Sequence, residues 1–353
     1  MNKRLLILNL GIDSMNTSLA FTQSWVNELS QYYQQVDVLT LRAGSKYELN
    51  KNVNLYYINT KYSNKSKIKQ TIELIKISRQ LINDNEYSHC FAHMAPLQHL
   101  VAKYFLYKKQ IKTTLWFTHI GPKIGIKWMV LWISSFLANN IVTASENSFP
   151  FKLKHLIITG HGIHFDKFYQ KKEKFKLKNI LILSRISKSK NIENTLKNLI
   201  NTKNFKRYTI DIIGGTLNKN DDDYLKDLKT KYNDYDNINF LGKKPHDSLP
   251  VILKKYDISI NNASKGFFDK AVLESVAGGL ICFYKSEDFN FLYKKSLQNI
   301  LHFKEDNLYQ KIESLELQAD TLILDSISYA QTEAERHSLT NVVKKLVNIF
   351  NLN

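Results

Sequence analysis

A chain of 353 residues is long enough for two domains, since a typical domain holds roughly 150 residues. With 43% hydrophobic and 23% charged residues, the composition excludes an intrinsically disordered, collagen-like or low-complexity protein. The 50 basic residues exceed the 32 acidic ones by 18, and this excess favours anionic partners: nucleic acid, phosphate-bearing ligands or an acidic membrane surface.

Cysteine usage and apolar runs indicate the compartment. Cys90 and Cys282, the two cysteines, stand far apart inside apolar runs, so neither a disulfide framework nor a metal-type cysteine spacing is present. The N-terminal apolar run is too short for a signal peptide and is typical of a first strand. The longest apolar run, Trp128 to Leu137, is about half the length that spans a bilayer. The sequence therefore predicts a cytoplasmic protein without a transmembrane segment.

The first half of the chain alternates between short apolar runs and helix-periodic segments. Leu5 to Leu10 predicts a strand, Gly11 begins the loop after it, and Ser14 to Leu29 predicts a helix. Further predicted strands are Val36 to Leu41, Val53 to Ile58, Ser88 to Ala92, Thr114 to Thr118, Asn140 to Thr143 and Leu156 to Thr159, with helices at Ser66 to Ile82 and Leu97 to Lys108. Apolar strands separated by helices predict a parallel, doubly wound α/β sheet.

The same alternation restarts after a lysine-rich stretch from Asp166 to Lys178. The predicted strands are Asn179 to Ser184, Tyr208 to Ile213, Ile238 to Leu241, Ile258 to Asn261 and Leu280 to Phe283. The restart predicts two Rossmann-like domains, residues 1–165 and 166–330, which face each other across a ligand-binding cleft. The last segment, 331–353, carries an amphipathic apolar stripe and is expected to cross back to the first domain.

Two loops after predicted strands of the second half carry candidate ligand-binding residues. Arg185 and Lys190 suit a diphosphate beside helix amides, and two ordinary solvated cations explain them about equally well. Asp269 is a predicted helix N-cap, and Glu274 lies one turn after Lys270. Glu274 then either forms a surface ion pair with Lys270 or accepts hydrogen bonds from two hydroxyls of a ribose.

Segments of the chain resemble the retaining glycosyltransferases of family four, which have the GT-B fold. The strongest are SRISKSKN (184–191) and FDKAVLESVAGG (268–279). The others follow in the order of the family: TTLWFTHIGP (113–122), GHGIHFDKF (160–168), YTIDIIGG (208–215) and INFLGKKPHDSLPVILKKYDISIN (238–261). Each motif is weak alone, but together they are specific and span roughly Thr113 to Gly279.

The resemblance implies an enzyme that moves a sugar from a nucleoside diphosphate, UDP or GDP, to a saccharide or lipid-linked acceptor, with retention, in bacterial surface polysaccharide or glycan assembly. It implies no metal or other cofactor, because fixed cations and a helix dipole stabilise the departing diphosphate. The residues that match its site are Arg185 and Lys190 for the diphosphate, Glu274 for the ribose, Gly11 and Gly214 as donor-binding loop glycines, and His119, Asp269 and Lys270 near the sugar.

Some of these positions have a second interpretation or depart from the family. Gly214 also fits a simple turn, and a strand-end histidine such as His119 is more often structural. Ser184 replaces the glycine that usually precedes the arginine. Gly266 stands eight positions before Glu274, where the family has its first signature glutamate, so the donor sugar is the least defined part of the prediction.

Other classes of protein are compatible with parts of the sequence. The basic, aromatic stretch between Lys65 and Leu137 predicts either core helices with solvated lysines or a surface that rests on anionic lipid. Alternatives to the transferase are a sugar-nucleotide epimerase of the same fold, an inactive relative, and a basic nucleic-acid-binding protein. The last is disfavoured because the lysines are spread along the chain and form no recognised motif. No zinc site is expected, because neighbouring strand residues such as His89 and Cys90 face opposite sides.

Overall fold

The computed structural model describes residues 3–13, 20–60, 66–118, 120, 124–153 and 156–351. His119, one of the predicted site residues, lies outside the described residues. The chain divides into two compact units: Met1–Gly162 with Leu339–Asn353, and Ile163–Ser338. Residues 330 and 331 both lie inside one helix, so the second unit continues past the position at which the sequence places its end.

The strands of both units are short and apolar. In the first unit they are β1 (Arg4–Asn9), β2 (Gln35–Ala43), β3 (Val53–Thr60), β4 (His89–His93), β5 (Thr113–Trp116), β6 (Asn140–Thr143) and β7 (Leu156–Ile158). In the second unit they are β8 (Asn179–Leu183), β9 (Thr209–Ile213), β10 (Ile238–Gly242), β11 (Ile258–Asn261) and β12 (Ile281–Tyr284). The strands that the sequence predicts are thus confirmed, within one or two residues at most ends.

Helices connect the strands in both units. They are α1 (Ala20–Ser30), α2 (Lys67–Asp84), α3 (Pro96–Lys108), α4 (Ile126–Leu137), α5 (Phe165–Phe168), α6 (Ile192–Ile200), α7 (Lys219–Lys231), α8 (Leu249–Leu253), α9 (Lys270–Ala277), α10 (Lys295–Leu301), α11 (Leu308–Glu316), α12 (Asp320–Glu335) and α13 (Leu339–Asn351). No helix in the described ranges combines the length and hydropathy that crossing a bilayer requires.

The sheet of the first unit is parallel, in the order β3-β2-β1-β4-β5-β6-β7, and helices cover both of its faces. On one face Leu6 and Leu8 of β1 belong to a core cluster with residues of α2, α3 and α4. On the other, Trp25 of α1 packs 6.4 Å from the ring of Phe91, and Phe350 of α13 packs 5.3 Å from the same ring. The apolar stripe of the terminal helix is therefore buried within this unit.

The sheet of the second unit is also parallel, in the order β10-β9-β8-β11-β12. The chain runs outward from β8 through β9 to β10, and then returns to the other side of β8 with β11 and β12. The loops after β8 and β11 consequently leave the sheet side by side in opposite directions. Parallel α/β sheets bind ligands at such a switch point, beyond the carboxyl ends of the strands.

Candidate functional site

The loops after β8 and β11 are tied together by asparagine side chains. Asn191 begins α6 with a φ of 50°, a left-handed conformation that asparagine tolerates better than most residues. Its Nδ2 donates to the carbonyl oxygen of Asn262 at 3.1 Å. Asn262 in turn donates to the side chains of Asn194 at 3.0 Å and Thr195 at 3.1 Å. These bonds hold the two loops at a constant separation, although the sequence analysis singled out none of these residues.

Lys190 and Asp269 form an ion pair between the same loops. The Nζ atom of Lys190 donates to Oδ2 of Asp269 at 2.5 Å, and Asn261 donates to the same oxygen at 3.2 Å. The lysine side chain is only 9% exposed, and its Nζ lies 5.7 Å from the centre of the Phe267 ring. The sequence assigns these residues separate roles at the diphosphate and near the sugar, whereas the structure brings them into direct contact.

Arg185 differs from Lys190 in being exposed. Its neighbour Ile186 is fully buried and donates its backbone N–H to the carbonyl oxygen of Gly215 at 2.9 Å, which anchors the loop. Over the described part of the chain, no ion pair or side-chain hydrogen bond involves the guanidinium of Arg185. This planar, five-donor group is therefore available to an anion at the switch point.

Helix α9 presents its N-terminus to the same loops. Asp269 accepts a hydrogen bond from the backbone N–H of Ala271 at 3.4 Å, which confirms the predicted N-cap. The first helical residue, Lys270, is half-buried, and this burial lowers the pKa of its ammonium well below the usual value, while Glu274 opposes the shift. A desolvated cation and the positive end of a helix dipole thus lie together.

Glu274 is buried and paired with a histidine that the sequence analysis did not single out. The glutamate is 5% exposed, and its Oε1 accepts a hydrogen bond from Nε2 of His246 at 2.9 Å. The hydrogen bond to Glu274 raises the pKa of His246, against the effect of burial. His164, just before α5, also faces this group, and burial lowers its pKa to about 4. The only sequence signal for His246 is its place in the segment 238–261, which resembles the glycosyltransferase family.

The two predicted glycines occupy different units. A β-carbon on Gly214, at the end of β9, would overlap the carbonyl oxygen of Ser184, so the close approach of the β8–α6 loop requires glycine there. Gly11 is buried after β1 in the first unit, and the next residue, Ile12, pairs with Ala43. In the structure, Gly214 serves the packing of the loop that carries Arg185.

The histidines beside Cys90 have structural partners. His89 shares a hydrogen bond of 2.9 Å with the hydroxyl of Thr114, and burial lowers its pKa to about 3. His93 stacks on Trp116, with the ring centres 4.7 Å apart. Among the residues that the structure describes, no group of three or more His, Cys, Asp or Glu side chains has the geometry to hold a metal ion.

Comparisons with solved structures identify the fold. HepE from Anabaena, solved in complex with UDP, superposes with a TM-score of 0.73 at 13% identity, over 99% of this chain and 100% of that one. Sucrose-phosphate synthase from Thermosynechococcus elongatus gives 0.76 at 10% identity, over 99% and 98% of the two chains. A glycosyltransferase from Rickettsia africae gives 0.74 at 14% identity, over 99% and 98%. The chain thus has the GT-B fold, which confirms the predicted fold class.

The family follows from the second unit. Residues 165–291 match the family of glycosyl transferases group 1. The matched segment contains Arg185, Lys190, Asp269 and Glu274, and the match agrees with the resemblance stated from the sequence, as does the fold. By sequence, no curated protein matches the chain significantly.

Proposed function

We propose that this protein is a glycosyltransferase that moves a sugar from a nucleoside diphosphate sugar to a saccharide or lipid-linked acceptor, with retention and without a metal. The observation that carries the proposal is the exposed guanidinium of Arg185, which has no partner among the described residues and lies on the same switch-point loop as Lys190, the ion-pair partner of the N-cap of α9. HepE, which shares the fold, is solved with UDP and with UDP-glucose. A diphosphate is the ligand that this group of donors suits best.

Each residue of the site has a proposed task. Arg185 binds the diphosphate through its planar fork, and Lys190, with three donors, contacts it while keeping Asp269. Glu274 accepts the two ribose hydroxyls. As the bond from the sugar carbon to the diphosphate oxygen breaks, that oxygen takes the electron pair, and the cations stabilise its charge. The oxygen of the acceptor hydroxyl bonds to the same carbon, and its proton passes to the departing diphosphate. Asp269, Lys270 and His119 are proposed to lie near the sugar.

A screen of nucleotide sugars tests the proposal and selects the base. With UDP-, GDP-, ADP- and CMP-sugars at about 100 times the dissociation constant, a true donor stabilises the protein by about 2.7 kcal/mol, and the other bases leave the melting temperature unchanged. Sugar transfer then requires an added acceptor. Conversion of the donor sugar without an acceptor would indicate the epimerase instead, and no response to any of the four nucleotides would contradict both.

We further propose that the first unit rests on an anionic membrane through the outer side of helices α2, α3 and α4, called here the α2–α4 surface. Trp132 is 50% exposed and Phe136 81%, and their rings stack 6.3 Å apart. Exposed isoleucines of α2 and exposed tyrosines of α3 add further apolar side chains to the same group of helices. The exposed lysines on these helices are Lys67, Lys69, Lys76, Lys108 and Lys127, and Lys109 follows directly after α3.

Vesicle sedimentation tests this surface. Phosphatidylglycerol-containing vesicles should pellet the protein, and neutral phosphatidylcholine vesicles should not, because each lysine near an anionic surface contributes about 1 kcal/mol. The double change Trp132→Ser and Phe136→Ser should weaken binding by roughly 100-fold, since each apolar side chain that enters the interface contributes about 1.5 kcal/mol. The control is Leu317→Ser in the second unit, where an 85% exposed leucine is removed. Equal pelleting on neutral and anionic vesicles would refute the proposal.

A further inference from the structure

We infer that His246 is a positioning residue: it holds the carboxylate of Glu274 in the orientation that accepts both hydroxyls of the donor's ribose. The inference rests on the proposed function, in which Glu274 binds that ribose. His246 is not among the site residues named under the proposed function. If the inference holds, recognition of the ribose depends on His246 as well as on Glu274.

The geometry of the pair carries the first step. Glu274 lies on α9 and is 5% exposed, so its carboxylate has lost most of its water. His246 donates from Nε2 to Oε1 at 2.9 Å, and in the described ranges no other side chain bonds to this carboxylate. Each carboxylate oxygen accepts two hydrogen bonds, so Oε2 and one lone pair of Oε1 stay available. The histidine therefore fixes the carboxylate without using up its capacity for a diol.

The histidine is itself held in place. It begins a 3-10 turn, His246–Ser248, in which Ser248 donates from its backbone N–H at 3.1 Å and from its hydroxyl at 2.7 Å to the carbonyl oxygen of Pro245. One side of the ring packs against Phe168, with the ring centres 5.3 Å apart. Backbone and ring contacts together restrict the direction from which Nε2 approaches the glutamate. The ring is still 46% exposed, so these contacts limit its position without burying it.

The charges around the ring determine how the bond depends on pH. Glu274 and Lys270 on α9, His164 just before α5, and Asp247 in the same turn all act on His246. The hydrogen bond to Glu274 dominates and raises the pKa of His246 above its ordinary value of 6.5. The charged form of the bond is thus fully present below pH 6.5 and is lost as the pH rises through the raised pKa. The neutral ring still donates from Nε2, but more weakly.

Isothermal titration of paired ligands isolates the ribose contact. The ligands are UDP and 2′,3′-dideoxyuridine 5′-diphosphate, or the guanosine pair if the screen selects guanine. The readout is the dissociation constant of the dideoxy ligand divided by that of the ribose ligand, so a high ratio means that the ribose hydroxyls contribute to binding. We expect His246→Leu to lower this ratio roughly tenfold, and His246→Gln, whose amide retains a donor at the same reach, to keep it within about threefold. Asp234→Asn, at an exposed aspartate that follows α7, is the control and should leave the ratio unchanged.

Two further readouts separate positioning from a structural role. In a Glu274→Ala background the ratio is already lost, and His246→Leu should lower it no further, because the histidine acts through the glutamate. The wild-type ratio should fall as the pH rises above 6.5, whereas the His246→Gln ratio should be flat. Protonation of the diphosphate is the same for both ligands, so its effect cancels in the ratio.

The outcomes distinguish the inference from the proposed function. If UDP binds and Glu274→Ala abolishes the discrimination, but His246→Leu does not reduce it, the inference is wrong and the function stands. If the leucine variant does not fold, parallel pH profiles of the wild type and His246→Gln overturn the inference. If the wild type binds neither UDP nor GDP, the proposed function fails first, and the inference fails with it.

Discussion

Replacing Arg185 with alanine should lower kcat/KM for sugar transfer by about 10- to 150-fold, which corresponds to about 1.5–3 kcal/mol of transition-state stabilisation. The guanidinium is the one cation of the site that has no partner among the described residues, so its charge is fully available to the departing diphosphate. For the same reason its removal leaves no group unpaired, and the free energy of unfolding should stay within about 0.5 kcal/mol of the wild type. Activity and stability are thus expected to separate.

Two variants sharpen the comparison. Arg207→Ala removes another exposed arginine, which lies just before β9 and hence at the amino ends of the strands of the same sheet. This change should leave kcat/KM unchanged. Arg185→Lys keeps the charge but loses the planar fork, and it should recover only part of the activity. Wild-type turnover by Arg185→Ala, or an equal loss in Arg207→Ala, would count against a diphosphate site at this loop.

Gly214→Ala should destabilise the second unit by about 2–4 kcal/mol and also weaken donor binding. A methyl group at this position overlaps the backbone carbonyl oxygen of Ser184, and neither β9 nor the β8–α6 loop has a flexible side chain at the contact that could give way. The loop must shift, and Arg185 shifts with it. Hydrogen exchange followed on peptides from β8 and β9, with peptides from the first sheet as an internal reference, measures the loss of stability.

The neighbouring glycine supplies the matched control. A β-carbon on Gly215 would lie 3.2 Å from Cβ of Lys243, a close contact that a shift of a few tenths of an ångström relieves, whereas the contact at Gly214 is an overlap with a backbone oxygen. Gly215→Ala should therefore change the stability by less than about 0.5 kcal/mol. Equal protection of β8 and β9 in Gly214→Ala and Gly215→Ala would show that the close approach of the loop is not what requires glycine.

The sequence predicted the elements of the fold because each depends on local information. The run Asn140 to Thr143 was predicted as a strand and coincides with β6, since a buried parallel strand consists of consecutive apolar or β-branched residues. The helix predicted to begin at Ser66 begins one residue later, with Ser66 as its N-cap. The helix predicted from Ser14 is observed from Ala20, and residues 14–19 are outside the described ranges.

The sequence predicts which residues belong to the site better than it predicts which of them contact each other. The sequence predicts both Lys190 and Asp269 as site residues, yet nothing in their spacing of 79 residues indicates that they form an ion pair. A single histidine after a proline in a basic segment is typical of a surface residue, and His246 is 46% exposed; only the fold shows that it also contacts Glu274 of α9. Both contacts arise from loops that leave adjacent strands which are distant in the chain.

By itself, the sequence determined the two parallel sheets, the family, and the segments that carry the cations and the acid, because apolar periodicity and short motifs are properties of neighbouring residues. Only the tertiary structure decided which of these groups are already paired and which are available: Lys190 is paired with Asp269, Glu274 is bonded to His246, and Arg185 has no partner among the described residues. The physical reason is that pairing depends on distance and burial. Both are set by the packing of β8 beside β11, which brings together side chains that the chain itself keeps far apart.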